Sequence, residues 1–228
     1  MSDSFLPTCS YSIRLLDRLT LLDTQKILDF NLIHKAIYWA KKYHDGQFRK
    51  SGEPYYTHPL EVAYMVSEYK LTTNVIVTAV LHDIVEDTQV TVGMIVDAFS
   101  WRIAEMVDML TRDRPDGSKL SVETILNNAY DKDDKEVLLV KVIDRLHNMM
   151  TIGAKKVGKR KRTVTQTLEE INIFALYLNE PTIFTKLMLN ITEQYPNINT
   201  KNYLLNLTKT EFSSNYHLPS LVFQDGFC

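Results

Sequence analysis

Apolar residues recur at helical spacing along most of this chain and almost nowhere in strict alternation. Ile33, Ile37 and Ala40 form one such face, and Ile103, Met106, Val107 and Leu110 form another. The 228 residues include only 7 glycines and 7 prolines, so tight turns are few and the elements are long. This pattern predicts an all-α fold, a helical bundle with functional groups gathered in its centre.

Several helix ends can be placed from capping residues. Thr72, Thr73 and Asn74 precede an apolar helix predicted over residues 75–86. Ser100 and Ser121 are expected to cap the two helices that follow them. Further helices are predicted over residues 134–150 and 161–178, the second ending before Pro181.

Composition limits the partners and the compartment. The formal net charge is -2, so nothing global attracts the chain to nucleic acid or to an acidic membrane. Cys9 and Cys228 form no disulfide framework, and no apolar run is long enough to cross a bilayer. We therefore expect a cytoplasmic protein with an N-terminal extension (1–24), one functional domain (25–194) and a partly disordered tail (195–228).

Ionisable residues interrupt the apolar helices at three places. His58 precedes a proline, His82 and Asp83 follow Leu81, and Asp144 lies in an apolar run. Buried charge is costly unless it is paired or bound to metal. Two imidazoles and two carboxylates suit one divalent cation, so the sequence predicts a metal-dependent hydrolase site.

The nature of the predicted ligands narrows the choice of metal. A mixed nitrogen and oxygen set with two negative charges fits Mn²⁺ or Fe²⁺ best, Zn²⁺ is an alternative, and Mg²⁺ fits less well. Glu86 and Asp87 follow one turn after His82 and Asp83. We predict that this acidic pair orients the attacking water or moves protons to and from it.

Basic residues near these segments are candidates for binding phosphate. Arg49, Lys50 and Ser51 precede a glycine turn, and Lys141 and Arg145 share the predicted helix of Asp144. Each group is equally typical of a surface turn or a solvated helix face, so the residues alone leave both interpretations open.

These segments together resemble the RelA/SpoT-type HD hydrolases. The similarity covers residues 44–55 with His58 and Pro59, then residues 81–88, then Lys141 with residues 144–149, in the family's order and spacing. Looser similarity extends the match over about residues 31–180. Past residue 178 no synthetase signature appears, so the resemblance is to a small, hydrolase-only form.

The resemblance implies an all-α HD domain that binds one Mn²⁺ and removes the 3′-pyrophosphate of ppGpp and pppGpp. By position it implies His58, His82, Asp83 and Asp144 as metal ligands, and Glu86 and Asp87 as catalytic residues. It also implies contacts to guanosine and its phosphates from Arg49, Lys50, Ser51, Asn148 and Thr151.

One departure from the family pattern leaves the function open to alternatives. Met150 stands where the family usually has arginine. It motivates one alternative to ppGpp hydrolysis, which is alarmone binding without turnover. Hydrolysis of another nucleotide such as NADPH is a second alternative, because metal motifs do not select the substrate. The sequence leaves the oligomeric state open.

Overall fold

The computed structural model describes residues 9–154 and 156–195. Within these residues the fold is all-α, as predicted, and contains no β-strand, only two isolated bridges. The predicted tail, from residue 196 onward, lies outside the described residues. The helices are α1 (Ser10–Leu22), α2 (Phe30–Tyr43), α3 (Thr57–Val66), α4 (Thr73–Leu81), α5 (Ile84–Asp87), α6 (Val92–Ala98), α7 (Trp101–Leu110), α8 (Val122–Asp131), α9 (Lys135–Met150), α10 (Val157–Gln166), α11 (Asn172–Tyr177) and α12 (Pro181–Gln194).

The described residues fall into two compact units, one that ends at residue 154 and one that begins after residue 155. In the first unit α1 packs against α3. In the second, a π-helical segment, Thr167–Ile171, joins α10 to α11, and α11 packs against α12. A helix was predicted over 161–178; it begins earlier, at Val157, and is divided by this π segment. The predicted domain limits at residues 24 and 194 stay a prediction.

Helix α4 forms the centre of the first unit. Every side chain from Val75 to Leu81 is buried, because a helix that is apolar on all sides must be covered on all sides. Helices α2, α3, α7 and α9 cover it. The central position of α4 brings its C-terminal end against α3 and α9, which carry the other predicted site residues.

Side-chain caps fix the starts of several of these helices. Ser100 Oγ accepts from Ile103 N at 3.2 Å, and Ser121 Oγ accepts from Thr124 N at 3.0 Å, as predicted. Asp134 caps α9 by accepting from Val137 N at 3.1 Å. The start of α9 sets the position of Asp144 and His147 further along the same helix.

The predicted helix over residues 75–86 is not continuous. It ends at Leu81, and α5 begins at Ile84 after a turn at His82 and Asp83. Asp83 has φ −101° and ψ −4°, outside ordinary α-helical values, and His82 Nδ1 lies 2.8 Å from the Ala79 carbonyl oxygen. This side-chain bond takes up a carbonyl that the helix would otherwise use, so the chain turns where the two site residues stand.

Candidate metal centre

The four predicted metal ligands converge in the first unit. His58 lies in the first turn of α3, His82 and Asp83 occupy the break after α4, and Asp144 lies within α9. His58 Nε2 is 3.2 Å from Asp144 Oδ1, and His82 Nε2 is 3.2 Å from Asp83 Oδ2. Asp83 Oδ2 is also 3.5 Å from His58 Nε2. Three separate elements therefore place two imidazole nitrogens and two carboxylate oxygens around one point.

The hydrogen bonding of His82 fits a cation at this point. A carbonyl oxygen only accepts, so the 2.8 Å contact with Ala79 O places a hydrogen on His82 Nδ1. His82 Nε2 is buried and has no hydrogen-bond partner of acceptable geometry. Buried polar atoms are rarely left unsatisfied, and one ligand atom each from His58, His82 and Asp144 lie within 4.8 Å of one another. The donor set therefore fits a divalent metal ion.

Electrostatics at the centre also favour a cation. Burial opposes the ionisation of Asp144, but Lys141 and the neighbouring imidazoles outweigh burial and hold its pKa well below the usual range. Burial likewise opposes a charge on His82, but the Asp83 carboxylate outweighs it and raises the pKa of His82 to about 10. In the metal-free protein a proton on His82 therefore adds to the positive charge of Lys141 beside the two carboxylates.

Two predicted substrate-binding residues contact Asp144. Asn148 Nδ2 donates to Asp144 Oδ1 at 2.6 Å, and Lys141 Nζ lies 3.5 Å from Asp144 Oδ2. Lys141 is buried. Both side chains orient a predicted metal ligand, and their contact with substrate stays a prediction.

The predicted acidic pair is Glu86 and Asp87, and each of them bonds to different neighbouring residues. Glu86 Oε2 accepts from the backbone nitrogen of Arg112 at 3.2 Å, and Glu86 Oε1 is 3.2 Å from Lys119 Nζ. Asp87 Oδ2 accepts from Tyr55 Oη at 2.6 Å. Partial burial, reinforced by the charges of nearby carboxylates, raises the pKa of Asp87 above its usual value, as a group that exchanges protons requires.

Tyr55 links the acidic pair to the metal centre, a role that sequence analysis missed. Its hydroxyl also lies 2.9 Å from Asp83 Oδ2, and its ring stacks on the buried His44 ring with centroids 4.8 Å apart. His44 Nδ1 is 2.8 Å from Gln47 Oε1, and Gln47 Nε2 donates to the Asp87 carbonyl oxygen at 2.8 Å. The sequence signal for Tyr55 was its place in the segment 44–55 that resembles the family, three residues before His58.

Arg49 lies against the C-terminal end of α9. Its Nη1 is 3.3 Å from His147 Nδ1, and its Nη2 donates to Thr151 Oγ1 at 3.1 Å. Lys50 and Ser51 are exposed in the turn that follows, where Gly52 has φ +92°. Arg49 and Thr151 thus lie together beside the metal centre.

Three other residues of α9 differ in how far their side chains are exposed to solvent. Arg145 is half-buried, and Met150, at the family's usual arginine position, is 53% exposed. His147, which was not among the predicted site residues, is buried and stacks on His58 with ring centroids 4.9 Å apart. Burial, with the nearby His58 and Arg49, lowers the pKa of His147 to about 3.

Comparison with known proteins identifies the family. The pattern of the HD domain matches residues 36–177, more than half of the chain. The chain belongs to the HD-domain family. Among the described residues, no helix of this HD protein is long and apolar enough to cross a membrane.

The chain is similar to several curated proteins. The chain is 38% identical over 153 residues to a GTP pyrophosphokinase of Myxococcus xanthus, covering 62% of this chain and 20% of that protein. It is 34% identical over 173 residues to the bifunctional (p)ppGpp synthase/hydrolase SpoT of Escherichia coli K12, covering 72% of this chain and 24% of that protein. The chain thus spans between a fifth and a quarter of these relatives' length.

A solved structure shows the same fold. It is a metazoan orthologue of SpoT, described as hydrolysing ppGpp, and it superimposes with a TM-score of 0.61 at 21% identity. The match covers 72% of this chain and 94% of the other. The architecture of the HD domain is therefore shared well beyond close sequence similarity.

Proposed function

We propose that this HD protein hydrolyses the 3′-pyrophosphate of ppGpp and pppGpp, giving GDP or GTP and pyrophosphate, and so ends the stringent response. The observation that carries the proposal is the convergence of His58, His82, Asp83 and Asp144, where the buried His82 Nε2 has no hydrogen bond and lies 3.2 Å from Asp83 Oδ2. The curated names of similar proteins, such as the 3′-pyrophosphohydrolase of Escherichia coli O157:H7, supply the substrate class.

The metal that we propose is Mn²⁺, with Fe²⁺ and Zn²⁺ as alternatives, because the ligands combine imidazole nitrogen with carboxylate oxygen. His58, His82, Asp83 and Asp144 would hold it. When bound, such an ion acts as a Lewis acid that polarises a phosphoryl oxygen and makes water more acidic.

The acidic pair would carry the protons. Hydrolysis removes a proton from the attacking water and gives one to the ribose 3′-oxygen as its bond to phosphorus breaks. Asp87 is suited to this exchange, because its pKa is raised and its carboxyl oxygen bonds to the Tyr55 hydroxyl. Glu86, fixed by Arg112 and Lys119, would orient the water.

Positively charged and polar groups beside the centre would bind the substrate's phosphates and guanosine. A tetra- or pentaphosphate carries a large negative charge, which guanidinium and ammonium groups offset. Arg49, held by Thr151, is the best placed of them. The remaining proposed contacts are from Lys50, Ser51, Lys141, Arg145, Asn148 and Thr151.

We place the reaction in the cytoplasm, on a small-molecule nucleotide and without a nucleic-acid or membrane partner. The net charge of -2 supports the absence of a nucleic-acid or acidic-membrane partner, because it gives no general attraction to such large polyanionic surfaces.

The test is pyrophosphate release from ppGpp by the purified chain, with Mn²⁺ and with a chelator. We expect metal-dependent release that Asp83→Ala abolishes, because this variant removes a carboxylate at the centre while leaving the helices folded by circular dichroism. Asp97→Ala, an exposed carboxylate on α6, is the matched control and is expected to retain turnover.

Two results would overturn the proposal. One is full turnover by Asp83→Ala, which would remove the centre from the reaction. The other is a substrate panel at equal concentrations in which NADPH or a nucleoside phosphate is hydrolysed faster than ppGpp. Tight ppGpp binding without any hydrolysis in Mn²⁺ would instead indicate an alarmone-binding module.

A further inference from the structure

His147 stands between a predicted substrate-binding residue and a predicted metal ligand. Its Nδ1 atom is 2.7 Å from His58 Nδ1 and 3.3 Å from Arg49 Nη1. His58 uses its other ring nitrogen, Nε2, to face the carboxylates of Asp83 and Asp144. His147 Nδ1 therefore contacts both the Arg49 guanidinium and Nδ1 of His58, the His58 ring nitrogen that does not face the carboxylates.

The hydrogen positions of this chain of contacts follow from the chemistry of arginine. A guanidinium group only donates hydrogen bonds, so His147 Nδ1 must accept from Arg49. A nitrogen that accepts carries no hydrogen, and the 2.7 Å contact between the two Nδ1 atoms then requires the hydrogen to be on His58. With hydrogen on Nδ1, the neutral His58 ring keeps the lone pair of Nε2 available to a metal ion.

We propose that His147 is a positioning residue for the metal centre: accepting from Arg49, it fixes His58 in the Nδ1–H form, with Nε2 directed at the metal. Outer groups of this kind set both the tautomer and the orientation of ligating histidines. His147 also accepts at its carbonyl oxygen from Thr151 N at 3.2 Å and from Thr151 Oγ1 at 3.1 Å. Thr151 Oγ1 in turn accepts from Arg49. Arg49 therefore bonds to two residues, His147 and Thr151, at the C-terminal end of α9.

The inference rests on the metal centre of the proposed function, but its test uses no nucleotide. The first measurement is Mn²⁺ affinity by equilibrium titration of the full chain. We expect His147→Leu to weaken Mn²⁺ binding about 10- to 100-fold, the usual cost of losing an outer-shell partner. His147→Gln keeps a side-chain acceptor and is expected to restore part of the loss. His34→Leu, on α2, is the matched control and should bind Mn²⁺ as the wild type does.

A second variant separates hydrogen bonding from charge. Arg49→Leu removes a positive charge near the centre, which by simple electrostatics strengthens the binding of a cation. Loss of the donor that selects the His147 tautomer predicts the opposite, weaker Mn²⁺ binding. Lys50→Leu removes the same charge from an exposed neighbouring position and should not weaken binding.

The third measurement needs no metal at all. Long-range ¹H–¹⁵N spectra of the metal-free protein report which ring nitrogen carries hydrogen. We expect hydrogen on Nε2 but not on Nδ1 of His147, and on Nδ1 of His58. Hydrogen on Nδ1 of His147, or unchanged Mn²⁺ affinity in His147→Leu, would overturn the inference while leaving ppGpp hydrolysis untouched. Absence of Mn²⁺ binding in the wild type would overturn the proposed centre itself.

Discussion

The metal-free protein should lose stability as the pH rises above neutrality, because His82 is protonated in the folded state. The pKa of His82 is raised to about 10 from a reference value of 6.5. Between these values the folded chain holds one more proton than the unfolded chain, so the free energy of unfolding falls with increasing pH. The stabilisation is complete below pH ~6.5 and is lost as the pH rises towards ~10.

The size of the effect follows from the two pKa values. Between pH 7 and pH 8.5 the free energy of unfolding should fall by about 2 kcal/mol. Saturating Mn²⁺ should abolish this fall, since a metal ion at Nε2 takes the place of the proton. At acid pH a different group acts. His147, with a pKa of about 3, stays neutral in the folded chain, whereas in the unfolded chain it binds a proton below pH ~6.5, so the free energy of unfolding also falls as the pH falls below that value.

Urea unfolding followed by circular dichroism at pH 7, 7.5, 8 and 8.5, in chelator, measures the alkaline slope. Burial opposes the ionisation of the Cys9 thiol, but hydrogen bonding with Ser12 outweighs burial and lowers the pKa, which gives a slope of opposite sign. The series is therefore run in a Cys9→Ala background. His82→Gln should lose the slope and His34→Gln should keep it. A flat profile in the metal-free protein, or the same slope in His82→Gln, would refute the reasoning.

Three further substitutions test the site and its support. Tyr55→Phe removes a hydroxyl that is bonded to Asp83 and Asp87. Because hydrogen bonds to charged groups contribute about 1.5–3 kcal/mol, the rate of pyrophosphate release should fall about 10- to 100-fold with the circular dichroism unchanged. An unaltered rate would show that the hydroxyl does not position the acidic pair. Asp134→Ala removes the cap of α9 and should lower the free energy of unfolding in urea by about 1–2 kcal/mol, whereas an equal stability would mean that the helix start needs no cap. Leu81→Ala, in the fully buried end of α4, should cost about 2–5 kcal/mol in the same assay, and a loss below ~1 kcal/mol would show that the core collapses around the cavity.

Local rules account for much of the helical fold. The apolar faces of α2 and α7 are buried as their spacing predicted, and Ser100 and Ser121 cap the helices they precede. These features depend on residues within one or two turns, so the sequence alone carries the information. The break at His82 and Asp83 does not follow from such rules, because residues 75–86 read as one good apolar helix. At the break the imidazole of His82 bonds to Ala79 O, a contact that periodicity and capping residues do not indicate.

Contacts between residues far apart in the sequence limit how much of the candidate site can be predicted from the sequence. Residue types and spacing predicted which groups converge at the metal centre, since few other reasons place carboxylates and imidazoles inside apolar helices. Tyr55 and His147 lie within the motif segments, but the sequence gave neither of them a role. Their partners, Asp83 and His58, lie 28 and 89 residues away in sequence, and only the packing of α3, α4 and α9 brings them together.

The same buried charges explain how fold and function constrain each other in this HD domain. A centre with two carboxylates inside an apolar bundle is stable only when a positive charge is present. Without metal, Lys141 and a proton on His82 supply that charge, and the nearby Asp83 carboxylate raises the pKa of His82 to about 10. A divalent ion would displace this proton and supply more charge, so metal binding should release protons at neutral pH and stabilise the folded chain. The buried carboxylates that need a compensating positive charge are therefore the groups that would give the ion its affinity, and the inferred role of His147 would couple that affinity to Arg49.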